Sequence, residues 1–409
     1  NLNEFHPNEL DPYLLFDARD SMVGTLENPT LDLDPSKPDT LNVITATRAG
    51  TATYTDADGV IQTASPDTVR VDHVDGVPMI LVEPSATNSI EHSEDFSDSS
   101  YYSNPDSTAV GGDAPMSGKT GTICTFDSAA EYLTYLDSTS FSSGDVVCQS
   151  IYVKKGSASE VNFRYHTGNN ARYTFNFDNQ TLTQGFSPQH VDSGFEDVGN
   201  GWFRIYFSIT LANWAWPKIF VPSTETFPAT VELFGFQLEA GSVPTSYIPT
   251  SGSAVTRQAD DLVISGSDFT DAYNTSAGTF YVESKTKTHT TYIFQASSST
   301  GLPYDNRHSA RNNNINKLAV LSLTGGVNQY SQVSLAAVSI NELSRIAYSY
   351  KQGDFRVSFN GEAEPTPTGN QVPSSTIDQM HLGSTHDESY QLNGHIKRLI
   401  YWPYHSDSL

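Results

Sequence analysis

From about Asp145 onward the chain runs in short stretches where apolar and polar residues alternate, each closed by Gly, Asn, Asp or Pro. In Trp202–Leu211, Phe203, Ile205, Phe207, Ile209 and Leu211 share one face, while Arg204 and Ser208 point the other way. A period of two predicts a strand with one face on a core. Val146–Val153, Val161–His166, Tyr173–Phe177, Lys218–Val221 and Val231–Glu239 read the same way. With no helical pattern between them, these strands predict an antiparallel sandwich or jelly roll rather than a βαβ fold.

A second series follows the polar stretch Thr250–Ser253, comprising Thr279–Lys285, Thr291–Gln295, Leu318–Leu323, Arg345–Tyr350, Phe355–Phe359, Met380–Gly383 and His395–Trp402. The predicted fold class is therefore all-β: an acidic N-terminal segment over 1–90, a jelly-roll domain over 91–253 and a second antiparallel β-sandwich over 254–409. Asp58-Gly59 and Asn360-Gly361 mark hairpin turns, because Gly accepts positive φ at no steric cost. No apolar run approaches the ~18 residues of a membrane span. No signal peptide is visible in Asn1–Leu10, so a leader was removed or the protein leaves its cell by another route, such as lysis.

Charge adds a second layer. The 409 residues carry 22 basic and 47 acidic side chains, a net charge of −25. That excludes a phosphate-neutralising surface as the main business of the chain, and with it nucleic acid as a partner. The excess is uneven, net −15 over 1–100, −7 over 101–253 and −3 over 254–409. The loop with Asp32, Asp34 and Asp39 reads as a solvated face or as a docking segment for a basic partner surface. Aromatic content of 11% argues against disorder.

Three stretches resemble known modules. Arg48-Ala-Gly-Thr-Ala-Thr-Tyr54, Arg70-Val-Asp-His73, Ile80-Leu-Val-Glu-Pro84 and Thr87-Asn88 resemble a segment of tailed-phage virion proteins. Glu94-Asp-Phe96, Tyr152-Val-Lys-Lys-Gly156, Gly201-Trp-Phe-Arg204, Gln237-Leu-Glu-Ala-Gly241, Tyr247-Ile-Pro-Thr-Ser-Gly252 and Thr256-Arg257 look like its usual continuation, similar to jelly-roll carbohydrate-binding modules of head or tail fibres. The chain from about 277 is similar to concanavalin A-like and laminin-G-like domains, through Arg345-Ile-Ala-Tyr348, Phe359-Asn-Gly361 and Gly394–Trp402. The resemblance implies a fibre, spike or decoration protein on the virion surface. Its N-terminal segment would dock onto other virion proteins, its sandwiches would meet host-surface glycan, and a homotrimer is expected, since fibres and spikes are commonly threefold.

Catalytic and metal signatures are weak by comparison. Gly112–Thr120 lacks the spacing of a phosphate loop, and no Gly-x-Ser-x-Gly elbow occurs. Glycosidase chemistry needs two carboxylates flanking the sugar bond; Glu362 and Glu364 fall in a Pro-rich loop, and Asp387 and Glu388 are adjacent. Asp56-x-Asp58-Gly lacks the remaining ligands of a calcium loop. Cys124 and Cys148 form no zinc cluster and read as a disulfide or as two buried thiols. No catalytic residue, metal or cofactor is expected. Sugar binding needs aromatic rings rimmed by amides and carboxylates. Asn213, Trp214 and Trp216 are the leading candidates, followed by the polar segment Tyr304–His308, with Tyr304 and Asn306, and Asn312–Asn314, and by His386, Asp387 and Tyr390. Trp202 reads as core. Rival readings are a purely structural decoration protein, with the Trp loop buried between subunits, and a polysaccharide-degrading enzyme.

Overall fold

The computed structural model describes residues 28–103, 107–136, 141–166, 171–187, 189–212, 216–300, 305–334, 336–364, 372, 377–407 and 409. The chain forms two compact units, one of residues 46–261 and one joining the described part of 1–45 to 262–409. Both are built from antiparallel sheets, so the all-β expectation holds.

In the 46–261 unit two six-stranded sheets enclose an aromatic core. One runs in the order His190–Asp197, Trp202–Thr210, Val146–Lys155, Ala229–Ala240, Thr120–Phe126, Ser107–Asp113. The other runs Thr181–Gln184, Arg172–Asn176, Glu160–His166, Trp216–Phe220, Leu133–Tyr135, Tyr102–Ser103. Between them lie Ile151, Phe163, Tyr173, Phe175, Ile205, Phe207 and Phe236, all at 0–1% exposure. The core face of Trp202–Thr210 is the one the alternation predicts. Its opposite face, expected to meet solvent, is also buried: Arg204 is 5% and Ser208 0% exposed. Chain from the same unit covers it, with the Ser208 hydroxyl donating to Ser242 O at 2.7 Å. The strands Ser107–Asp113 and Thr120–Phe126 pair as a hairpin, so residues 114–119 are its connection rather than a phosphate loop opening a helix.

The motif residues of the first two resemblances converge in this unit's interior. Arg48, Arg70, Glu83, Arg257 and Asp260 are each 0–2% exposed. Arg48 Nη1 lies 2.8 Å from Asp260 Oδ1, Arg70 Nη2 2.9 Å from Glu83 Oε2, and Arg257 Nη2 3.5 Å from Glu83 Oε2. Arg70 also pairs directly with Asp260. Asn88 donates to Phe236 O and Ile248 O and accepts from the amides of Ile90 and Leu238, so its four hydrogen-bonding positions are filled. Glu239, whose carboxyl is pushed up by burial, accepts from Gln237 and Thr245. Trp202 is 1% exposed and donates Nε1–H to Asp113 O at 2.9 Å, the core role expected of it.

The other unit pairs two antiparallel sheets. One contains Glu362–Ala363, Asp354–Phe359, Leu343–Lys351, Ala277–Thr286 and Gly394–Trp402 in that order, with Leu31–Leu33 on Gly394–Trp402. The other runs Asp261–Ser265, Gln379–Leu382, Thr291–Ser297, Arg307–Asn312, Leu318–Thr324, Val327–Val333. Phe280, Phe294, His308, Tyr348, Tyr350 and Tyr401 stack between them. Leu33 is fully buried, and Asp32 is held by Arg398 Nε and Nη2 at 3.0 and 2.9 Å where Leu31–Leu33 pairs with Gly394–Trp402.

The hairpin turns form as expected, with φ of +76° at Gly59 and +52° and +86° at Asn360 and Gly361. Cys124 and Cys148 are both buried thiols. Cys124 lies in the inter-sheet core and Cys148 on the opposite face of its sheet, beside Ser208 and Glu239, so the disulfide alternative is closed.

Candidate functional site

The strand Arg307–Asn312 alternates in an unusual sense. Its even positions, His308, Ala310 and Asn312, are buried at 0–1% exposure, and its odd positions place Arg307 and Arg311 on the outer face of the sheet. The register sets Tyr292 opposite Arg311 and Ser297 opposite Arg307. Arg311 Nη1 donates to Tyr292 Oη at 3.3 Å, with the guanidinium 5.6 Å from that ring's centroid, while its buried Nε–H has no acceptor among the described residues.

The loop Gly383–Asn393 closes over the same region. Gly383 N donates to Ile293 O, and Tyr292 N donates to Tyr390 O at 2.9 Å, which brings the Tyr390 ring to 5.9 Å from that of Tyr292. Glu388, Tyr390 and Asn393 hold left-handed φ of +58°, +54° and +41°, a conformation that costs about 1 kcal/mol or more per non-glycine residue. Hydroxyls of Thr385 and Ser389 donate to Asp387 Oδ1 at 2.6 and 2.7 Å and fix its carboxylate. Across the opening, Asn313 Oδ1 accepts the amides of Ile315 and Lys317 and shapes a tight turn beside Asn314. Thr290, Tyr292, Arg307, Arg311, Asn312–Asn314, Thr385, Asp387, Ser389 and Tyr390 thus surround an open depression of about 680 Å³, a size suited to a sugar or a short oligosaccharide.

The depression holds two aromatic rings, two guanidinium groups, amides and one carboxylate. Tyr390 is 56% exposed, whereas Tyr292 is buried at 6%. This set stacks on apolar sugar faces and hydrogen-bonds to hydroxyl or carboxylate oxygens. A lone carboxylate already held by two hydroxyls does not supply the acid and nucleophile of glycoside cleavage.

Of the residues singled out in the sequence, Asp387 and Tyr390 line this depression, together with Arg307 and Asn312–Asn314 of the polar segment. His386 turns away, its Nδ1 2.8 Å from Gln379 Nε2 and its ring edge-on to His381 at 5.4 Å. Asn306 accepts from Gly325 N at 3.1 Å through its amide oxygen and belongs to a turn. Trp216 starts a strand of the 46–261 unit and is not part of this site. Asn213, Trp214 and Tyr304 lie outside the described residues. Arg311 and Tyr292 carry the site and drew no notice in the sequence. The available signal was the spacing of Arg307 and Arg311, four apart, with small or polar residues between.

No protein-family model matches the chain, and no curated protein sequence matches it. Among solved structures, it is similar to the CBM40 module of the Ruminococcus gnavus IT-sialidase bound to α2,3-sialyllactose, at 18% identity over 33% of this chain and 80% of that one, with a TM-score of 0.29. NanB sialidase from Streptococcus pneumoniae shares 19% identity over 36% of this chain and 25% of that one (TM-score 0.31). Mouse laminin α1 chain domains LG4-5 share 10% identity over 68% and 88% (TM-score 0.26). The likeness is one of β-sandwich architecture.

Proposed function

We propose that the protein is a non-catalytic, glycan-binding component of a tailed-phage virion, and that the depression between Arg311, Tyr292, Asp387 and Tyr390 is where it holds host-surface sugar. The observation that carries the binding role is one exposed aromatic ring, Tyr390, set beside the fixed Asp387 carboxylate and the Arg311 guanidinium around an open depression. The virion assignment rests on the motif series of residues 48–257. Many copies on a particle would turn weak sites into firm attachment. A glycan array probed with the full chain and with Tyr390→Ala and Arg311→Ala tests the site: wild-type binding that falls at least about tenfold in Arg311→Ala, as expected for a lost charge-assisted hydrogen bond, supports it. No wild-type binding, or binding unchanged in both variants, removes it and leaves a purely structural virion role. Labelled antibody on intact particles tests the location, and solution mass tests the expected trimer.

A further inference from the structure

A second, unassigned surface lies on the outer sheet face of the 46–261 unit. In Trp216–Phe220, Ile219 enters the core, so Trp216, Lys218 and Phe220 take the other face. In the neighbouring strands Val161, Phe163, Tyr165, Tyr173 and Phe175 are core, which turns Asn162, Arg164, Arg172 and Thr174 outward. The register then sets Arg172 opposite Arg164, and Arg164 opposite Lys218. Three cations stand in line across three adjacent strands, spanning roughly 10 Å.

Directly opposed like charges destabilise a sheet, and this row sits in a chain of net charge −25. The Lys218 ammonium is held below the usual lysine range by burial and by the neighbouring Arg164. Aromatic rings edge the row. Lys218 Nζ lies 4.7 Å and Arg164 Cζ 5.2 Å from the Tyr132 centroid, Arg164 Cζ lies 5.6 Å from that of Phe220, and the Tyr132 and Phe220 rings are 5.1 Å apart. Asn162 and Thr174 form a polar pair one step along the same face, at 2.5 Å. Cation–π contacts with Tyr132 hold Arg164 and Lys218 in the row, and a polymer with a negative charge on successive sugars gains from each of the three cations.

We infer that the Arg172–Arg164–Lys218 row, flanked by Trp216 and Tyr132, is a second binding site, specific for an anionic polysaccharide. Trp216 takes a sugar ring, Tyr132 holds the cations in place, and the cations take the acid groups. The site does not depend on the depression proposed above, since the two lie in different units.

The test uses the full chain in the Arg311→Ala background, which silences the depression, and affinity electrophoresis through polygalacturonate, dextran sulfate or neutral dextran. At 0.15 M salt the repulsion from distant carboxylates is screened beyond about 8 Å, so local contacts decide. Retardation is expected in one or both charged polymers and not in dextran. Whichever polymer binds tells a carboxylate from a sulfate ligand. Lys218→Gln should weaken retardation about tenfold or more and Lys218→Arg should restore it; Trp216→Ala should weaken it with unchanged thermal stability. No retardation in either polyanion, equal retardation in dextran, or full retardation in both Lys218→Gln and Trp216→Ala would overturn the assignment. Glycan-array binding lost on Arg311→Ala while polyanion binding persists separates the two sites.

Discussion

Asp260→Asn is the sharpest probe of what the motif residues do. Asp260 is 1% exposed and accepts from Arg48 Nη1 at 2.8 Å, from Glu83 N at 2.9 Å and from Arg70. The cluster holds three guanidinium groups against two carboxylates, and the amide keeps the shape of Asp260 while removing one of the two negative charges. Removing one partner from a buried pair costs about 3–5 kcal/mol, because the other charge stays desolvated. The groups are 0–2% exposed, so solvent screening does not reduce that figure. For a unit of roughly 200 residues the loss corresponds to a fall in Tm of about 6–20 °C. Guanidinium unfolding followed by tryptophan fluorescence is the assay, since Trp202 and Trp216 belong to this unit and Trp402 to the other. Asp178→Asn serves as the control: its pair with Lys155 is 43% and 58% exposed and contributes at most about 1 kcal/mol. If Asp260→Asn falls within about 1 kcal/mol of Asp178→Asn, the cluster does not hold the motif strands together and the reasoning fails.

Burial holds His308 well below its ordinary 6.5, at about 3, with Nδ1 3.0 Å from Tyr348 Oη. Its neutral form is favoured in the fold, so its contribution is complete above pH 6.5 and is lost as pH falls from 6.5 toward 3. The loss is about 2–3 kcal/mol between pH 6.5 and 4.5; urea midpoints of the 262–409 unit should depend less on pH over that window in His308→Gln, and equal slopes would refute the assignment. Burial pushes the Cys124 thiol up to about 12, so a thiol reagent should label it only after denaturation, and rapid native labelling would contradict its placement. A Cβ on Gly278 would sit 2.3 Å from Tyr401 Oη and 2.7 Å from Tyr350 Oη, hydroxyls that bond each other at 2.9 Å. Gly278→Ala should therefore cost about 1–3 kcal/mol by overpacking, read from the same denaturation curves.

Period-two alternation made the fold class legible, because strands with one core face write that face into every second residue. Val146–Lys155, Ala229–Ala240 and Gly394–Trp402 lie where the pattern puts them, within a residue or two. Ser107–Asp113, His190–Asp197 and Arg307–Asn312 left no such mark. The first two are sheet-edge strands, and the third is Arg-His-Ser-Ala-Arg-Asn, whose polar residues carry the candidate site. A strand that presents binding groups gives up the hydrophobic signature by which strands are recognised. Asp387 and Tyr390 were visible because a polar, aromatic loop between two strands stands out. Arg311 and Tyr292, 19 positions apart, met only through strand pairing.

The sequence alone determined the all-β class, the turn positions, the core role of Trp202 and the acidic balance, since each follows from local composition or spacing. Only tertiary structure decided that Arg48, Arg70, Glu83, Arg257 and Asp260 share one buried cluster. It also decided that Asp32 is satisfied by Arg398 across 366 residues and that Arg172, Arg164 and Lys218 stand in line. Those relations depend on register between strands distant in the chain, and register is set by the packing of whole sheets rather than by any local stretch of residues.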